Sequence, residues 1–129
     1  MDTTNATKTT KKLWAGRIIS GLPVLFLIFD GVMKLLNVAP VRAAHDHLGY
    51  PQHLALGIGL VELAATALYL APRTATLGAI LLTAFLGGAT AAHVRLGEPF
   101  FFPVLVGVLL WGGHFLRDAR LRALIPLRG

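Results

Sequence analysis

The chain has no cysteine among its 129 residues. It therefore forms no disulfide and offers no thiolate ligand, which excludes dithiol redox relays and cysteine-ligated iron–sulfur clusters built by this chain alone. If the protein takes part in electron transfer, the redox group has to belong to a partner or to a diffusible cofactor.

Charged residues are also few, at 14% of the chain, whereas 55% of the residues are hydrophobic. The mean hydropathy is +0.68, well above that of a water-soluble domain of this size. The composition predicts an integral membrane protein whose main surroundings are the lipid bilayer.

Four apolar segments are long enough, at about 20 residues, to cross a bilayer. They are Leu13–Leu36, His53–Ala71, Thr74–Val94 and Phe100–Leu116. Short connections force neighbouring helices to run antiparallel. The predicted fold is all-α, an antiparallel bundle of four transmembrane helices, with one domain over residues 13–129 and a disordered basic tail over residues 1–12.

Basic residues cluster at both ends of the chain and at the corner between the second and third segments. They are Lys8, Lys11, Lys12, Arg17, Arg73, Arg117, Arg120, Arg122 and Arg128, whereas the other two connections carry only Arg42 and Arg95. Because loops rich in Lys and Arg stay in the cytoplasm, both termini are predicted to be cytoplasmic. The net charge of +6 then faces anionic lipid, and no nucleic-acid partner is predicted.

The first outer connection, residues 37–52, has a helix signal of its own. Pro40 suits the first turn of a helix and Gly49 suits a helix end. Apolar residues at positions 41, 44 and 48 fall on one side. We expect Pro40–Leu48 to form a short helix on the outer membrane interface.

Ionisable residues fall in the outer half of the apolar segments. At about 1.5 Å per helical residue, Asp30 lies roughly 9 Å and Glu62 roughly 13 Å from the outer ends of their helices, with His93 near the end of the third. Lys34 is one turn from Asp30 and can pair with it, and Arg95 follows His93. Because charge at membrane depth is costly, this group predicts a polar cavity that opens to the outer side.

Roles follow from the chemistry of these side chains. Glu62 and His93 are the catalytic candidates: Glu62 would exchange a proton, and His93 together with Arg95 would hold an oxyanion or carbonyl group. The substrate-binding candidates are Asp30, Lys34, Tyr50 and Arg95. Purely structural interpretations stay open: an internal ion pair for Asp30 and Lys34, and a hydrogen-bonded carboxyl between helices for Glu62.

Histidines offer a second kind of site. Three residues of the outer connection, together with the residue that follows it, resemble a metal-binding cluster in composition: His45, Asp46, His47 and His53. Their spacing matches no specific metal site and an exposed loop is expected there, so no metal is predicted. A haem would need two ligands at one depth, and His114 is expected at the inner interface, in the opposite leaflet from His93.

Small residues recur through the apolar segments. They include Gly57, Gly59, Gly78, Ala79, Gly87, Gly88, Ala89, Gly107, Gly112 and Gly113. Small residues allow helix backbones to approach closely in lipid, where packing drives helix association. We expect most of them to serve packing and a few to leave room for a ligand.

Seven short motifs are spread along the chain. They are Trp14–Arg17, Phe29–Gly31 with Lys34, Leu48–Pro51, Glu62–Leu63, Pro72–Thr74, His93–Pro99 and Trp111–Gly113. In order and spacing they resemble the DoxX-like family of small bacterial membrane proteins, over nearly all of residues 13–128. The resemblance implies a four-helix protein of the bacterial cytoplasmic membrane. It also implies functional polar positions that correspond to Asp30, Lys34, Glu62, His93 and Arg95.

Two classes of function stay open. The wider family includes a subunit of a thiosulfate:quinone oxidoreductase, so the resemblance implies a redox-linked protein whose outer cavity binds a quinone-like or other small amphipathic molecule. The alternative is a non-enzymatic anchor or small carrier that docks a soluble oxidoreductase or passes a solute. Four helices are few for a carrier, which would require a homo-oligomer. The first class depends on Glu62, and the second on cytoplasmic basic residues such as Arg117 and Arg120.

Overall fold

The computed structural model describes residues 3–127, which form six α-helices and no strand. The helices are α1 (Thr3–Leu36), α2 (Ala39–Leu48), α3 (Leu54–Leu70), α4 (Ala75–Arg95), α5 (Phe101–Arg117) and α6 (Ala119–Leu124). The all-α prediction is confirmed, and each predicted apolar segment is helical to within a few residues of its expected ends.

Helix α1 extends further toward the amino end than its apolar segment does. Its first ten residues, 3–12, are the polar stretch for which the composition predicts a disordered tail. No Pro or Gly separates this stretch from the apolar segment, and adding a residue to an existing helix costs far less than starting a new one. Residues 1 and 2 lie outside the described part of the chain.

The four long helices pack in a ring, with α1 against α3, α3 against α4, α4 against α5 and α5 against α1. The core between them consists mainly of aliphatic side chains and one tyrosine: Val24, Leu27, Ala65, Tyr69, Ala79, Leu82, Leu86, Val106 and Leu110. On α3 the buried positions recur every three or four residues, the period of one helix face. That period brings Glu62 into the interior together with the core residues.

Large apolar side chains also cover the outside of the ring. Leu22, Leu25, Val61 and Val108 are each more than 60% exposed. A water-soluble monomer rarely exposes so many large apolar side chains. By length and composition, the helical segments Thr10–Leu36 and Ala75–Arg95 are able to cross a membrane. The apolar helices α3 and α5 are shorter, at 17 residues each, or roughly 25 Å.

The short helix expected in the first outer connection is present as α2, which begins one residue earlier than predicted. Pro40 lies in its first turn, as expected. Gly49 ends the helix with a φ of 79°, a left-handed conformation that glycine adopts without steric cost. The N–H of Gly49 donates to the carbonyl of Asp46 at 3.3 Å.

Helix α6 was not predicted from the apolar pattern, because it is short and basic. Asp118 caps its start by accepting the backbone N–H of Arg120 at 2.9 Å. Arg122 then donates to the carbonyls of Phe115 and Leu116, each at 2.8 Å. These bonds satisfy carbonyl groups at the end of α5 that have no partner within the helix. The sequence signal that was available is the aspartate, a preferred helix-capping residue.

Several glycines lie where two helices approach closely, among them Gly59, Gly78 and Gly113. A Cβ at Gly59 would lie 2.9 Å from Lys34 Cβ on α1, and one at Gly78 would lie 2.5 Å from Tyr69 Cα on α3. A Cβ at Gly113 would overlap Ser20 Oγ and lie 2.9 Å from Ser20 N on α1. The packing role expected for the small residues is therefore present at these positions.

The substitution Gly78→Ala is expected to destabilise the protein by about 1–3 kcal/mol, because the added methyl group meets the backbone of α3 and forces the two helices apart. The matched control is Gly87→Ala on the same helix, where no heavy atom of another element lies within 4 Å of the added carbon. The control should be neutral or stabilising by up to about 1 kcal/mol, since alanine favours the helix. Thermal unfolding in mild detergent measures the stability of both variants. Equal unfolding temperatures for Gly78→Ala and Gly87→Ala would contradict the packing role of Gly78.

Candidate ligand-binding cavity

A cavity of about 490 Å³ lies at the end of the ring where α1 ends, α3 begins and α4 ends, which we call the outer end. Helix α2 contributes one wall. Most of the lining is apolar and includes Phe29, Met33, Val41, Leu48, Ile58 and Phe85. The polar lining residues are Asp30, Lys34, His45, Tyr50 and His93. The cavity is thus an apolar chamber with a few ionisable groups, as small-molecule sites usually are.

Lys34 is the centre of the charged groups. Its Nζ donates to Asp30 Oδ2 at 2.5 Å and to Glu62 Oε2 at 3.0 Å. The pairing of Asp30 with Lys34, expected from their spacing of four residues, is therefore present. Lys34 also joins α1 to α3, because Glu62 belongs to the neighbouring helix.

The ammonium group of Lys34 has an aromatic neighbour as well. Its Nζ lies 5.0 Å from the centre of the Phe85 ring on α4. A cation near a ring face is attracted by the negative face of the π-system. Lys34 is consequently held by groups from α1, α3 and α4.

Glu62 lies behind Lys34 and does not itself line the cavity. Its side chain is fully buried, whereas the side chains of Lys34 and Asp30 are 17% and 32% exposed. Its second oxygen, Oε1, has no hydrogen-bond partner among the described residues. The nearby hydroxyl of Thr66 donates to the main-chain carbonyl of Glu62 at 2.7 Å and does not bond to the carboxyl group. A buried acceptor without a partner can take up a proton or bind a water molecule.

His93 and Tyr50 line the cavity as the sequence led us to expect. The Nδ1 atom of His93 lies 3.6 Å from Glu98 Oε2. Tyr50 packs edge-on against His45, with ring centres 6.1 Å apart. Both residues lie toward the outer end of the ring, away from the core.

Arg95 is placed differently from the expectation. It is exposed, does not line the cavity, and donates from Nη2 to the carbonyl of Leu48 at the end of α2. The next residue after α4, Leu96, already turns the chain away from the helix. Arg95 thus holds α2 in place and does not reach the chamber.

Two histidines are more buried than their positions in the sequence suggest. His45, expected on an exposed loop, is 4% exposed, because it lies on the inner face of α2. His114, expected at the inner interface, is 2% exposed. It bonds to Thr76 Oγ1 at 2.8 Å and packs against Tyr69. Helix packing around these rings, which the sequence does not show, accounts for both corrections.

The histidines of the outer connection do not converge on one point. His45 Nδ1 faces the carbonyl of Pro51 at 3.3 Å, whereas His47 pairs with Glu98. Within residues 3–127, no group of three or more His, Asp or Glu side chains is arranged to hold a metal ion.

Sequence reasoning missed the apolar half of the site. Phe29, Met33, Ile58 and Phe85 carry no chemical signal that distinguishes them from lipid-facing or core residues. Gly88 and Ala89 also line the cavity, and no heavy atom of another element lies within 4 Å of a Cβ built at Gly88. These two are the small residues that leave room beside the chamber.

The arrangement suits a molecule with a polar head and an apolar body. A carbonyl or hydroxyl group can accept or donate a hydrogen bond at Lys34 and Asp30, while the body contacts Phe29 and Phe85. Phe29 lines the cavity and is 61% exposed, so its ring contributes both to the wall of the chamber and to the apolar outer surface of α1.

Comparison with known proteins gives the family. No curated protein and no solved structure gives a significant match. The sequence pattern that defines the DoxX-like family matches residues 18–113, a range that contains every polar residue of the cavity. Together with the apolar helices, this match indicates a membrane protein. The chain belongs to the DoxX-like family.

Proposed function

We propose that this protein is a redox-linked membrane protein whose outer cavity binds a quinone-like or other small amphipathic molecule. The observation that carries the proposal is the position of Lys34. Its ammonium group is partly exposed to an apolar chamber on one side and bonded to a fully buried carboxyl group on the other. An ionisable pair at this depth is costly to maintain, which favours a working role.

The chemistry of a quinone fits these groups. Reduction of a quinone to its hydroquinone adds two electrons and two protons, one proton at each carbonyl oxygen. In the proposal Lys34 hydrogen-bonds one carbonyl oxygen and Glu62 supplies or accepts the proton through Lys34. His93, nearer the outer end of the ring, exchanges the proton of the second carbonyl oxygen, and Tyr50 contacts the ligand there. The electrons would come from a soluble oxidoreductase partner or from a diffusible redox cofactor, because the chain supplies no thiolate or dithiol.

In the proposed topology, all four long helices cross the bacterial inner membrane as an antiparallel bundle, with α2 on the outer interface. Lys8, Lys11, Lys12, Arg17, Arg73, Arg117, Arg120 and Arg122 lie at the end of the ring opposite the cavity, which supports a cytoplasmic location for that end. Short α3 and α5 would cross with little tilt or in a locally thinned bilayer.

A reporter fused after Gly129 tests the orientation. We expect green fluorescent protein to be fluorescent there and alkaline phosphatase to be inactive, because the proposed carboxyl end is cytoplasmic. A second fusion placed after Gly97, in the outer connection, should give the reverse pattern. Active phosphatase at the carboxyl end would contradict the topology.

The substitution Glu62→Gln tests the ligand site. The protein is purified in mild detergent, and bound small molecules are identified by native mass spectrometry and solvent extraction. We expect wild type to retain an organic molecule and the variant to retain about tenfold less, because Gln neither exchanges a proton nor balances the charge of Lys34. Added short-chain benzoquinone should likewise bind about tenfold more weakly to the variant.

The control is Asp118→Asn, which removes a carboxylate at the opposite end of the ring. It should retain the ligand as wild type does. If wild type, Glu62→Gln and Asp118→Asn all emerge empty, bind no added quinone and carry only a soluble protein, the cavity proposal is wrong and the anchor is favoured.

A further inference from the structure

Helix α2 covers the cavity but is only loosely packed. Its backbone approaches the other helices at few points, in contrast to the four long helices. Its inner face is nevertheless buried, with Val41 at 9% and His45 at 4% exposure, and both side chains line the chamber. The helix therefore depends for its position on side-chain contacts and on the two connections that flank it.

Those contacts converge on the connection between α4 and α5. Glu98, in this connection, pairs through Oε1 with His47 on the outward side of α2. Its other oxygen, Oε2, lies 3.6 Å from His93 Nδ1 in the cavity wall. Arg95 adds a hydrogen bond to the carbonyl of Leu48 at the end of α2. One carboxyl group thus joins the covering helix to the wall that it covers.

The other polar contacts of α2 are local and do not reach α4. Gln52, just after the helix, donates to Asp46 Oδ1 at 2.6 Å and to the carbonyl of Arg42 at 2.9 Å. Arg42 donates to the carbonyl of Asn37, just before the helix, at 2.5 Å. These bonds stay within the segment from 37 to 52 and do not connect it to α4.

We propose that α2 is a cover that opens to admit the ligand, and that Glu98 is the positioning residue that holds it closed. The inference rests on the proposed function for the identity of what enters. The movement itself can be tested with no ligand present, so failure of one proposal leaves the other standing.

The absence of cysteine from the chain makes an introduced thiol a specific reporter. Ala92 lines the cavity on α4 and is 6% exposed. In the variant Ala92→Cys, a permanently charged methanethiosulfonate reagent reaches the thiol only when the cover is open. The labelling rate therefore reports the opened fraction, measured by mass spectrometry of the full-length protein in detergent or in vesicles.

Adding Glu98→Gln to Ala92→Cys should raise the labelling rate about tenfold, because a charge-assisted contact to two imidazoles is lost. Asp46→Asn is the matched control, since this exposed carboxylate on α2 pairs with Gln52, which lies in the same segment, residues 37–52. It should leave the rate unchanged. A reporter on the outward face of α2, Ala43→Cys, should react equally fast with and without Glu98→Gln.

General unfolding is distinguished by a core reporter, Val24→Cys, at a position that is 5% exposed within the ring. Its thiol should stay unlabelled in the Glu98→Gln background. The assignment of Glu98 would be overturned if Glu98→Gln left the labelling rate of the thiol in Ala92→Cys unchanged. It would also be overturned if Asp46→Asn changed that labelling rate equally. Labelling of the core reporter along with the cavity reporter would overturn it as well, because the effect would then be loss of the fold.

Discussion

The ion pair between Lys34 and Glu62 is the constraint on which the outer half of this protein depends. A fully buried carboxyl group in an apolar helix ring is costly unless a partner reaches it, and here the partner comes from the neighbouring helix at 3.0 Å. That distance requires α1 and α3 to be close together, and Gly59 permits the approach directly beside Lys34. Helix packing and charge pairing are thus one requirement, because neither the glycine nor the lysine serves its purpose without the other.

The same pair divides the molecule into two parts with different properties. Toward the inner end the core is closed by Tyr69, which hydrogen-bonds Ser20 at 3.0 Å and the carbonyl of Leu110 at 2.5 Å. Toward the outer end, residues of α1, α3 and α4 line the chamber, and α2 covers it. The inner part is closely packed around Tyr69, and the outer part contains the partly exposed polar groups and the loosely packed helix α2.

Much of the fold was predictable because the signals are local. Apolar runs of about 20 residues predict helices long enough to cross a membrane, and Pro40 and Gly49 predict the ends of α2. Apart from the start of α1, these helices were therefore located within a few residues. The exceptions have physical reasons. Helix α6 is stabilised by the Asp118 cap and by Arg122 reaching back to α5, contacts too short-range for an apolar pattern to reveal. The helical start of α1 continues from the apolar segment into polar sequence that has no helix signal of its own.

For the site, the sequence by itself determined which ionisable residues lie at which depth, because a helix rises by about 1.5 Å per residue whatever it packs against. That was sufficient to group Asp30, Lys34, Glu62 and His93 in the outer half. Only the tertiary structure decided how they are arranged, since rotation of each helix about its axis depends on packing against its neighbours. Packing placed Glu62 behind Lys34 and left Arg95 outside the chamber, where it binds α2. It also selected the apolar lining, because apolar residues look alike in a sequence until a neighbouring helix covers some of them and leaves others facing a cavity.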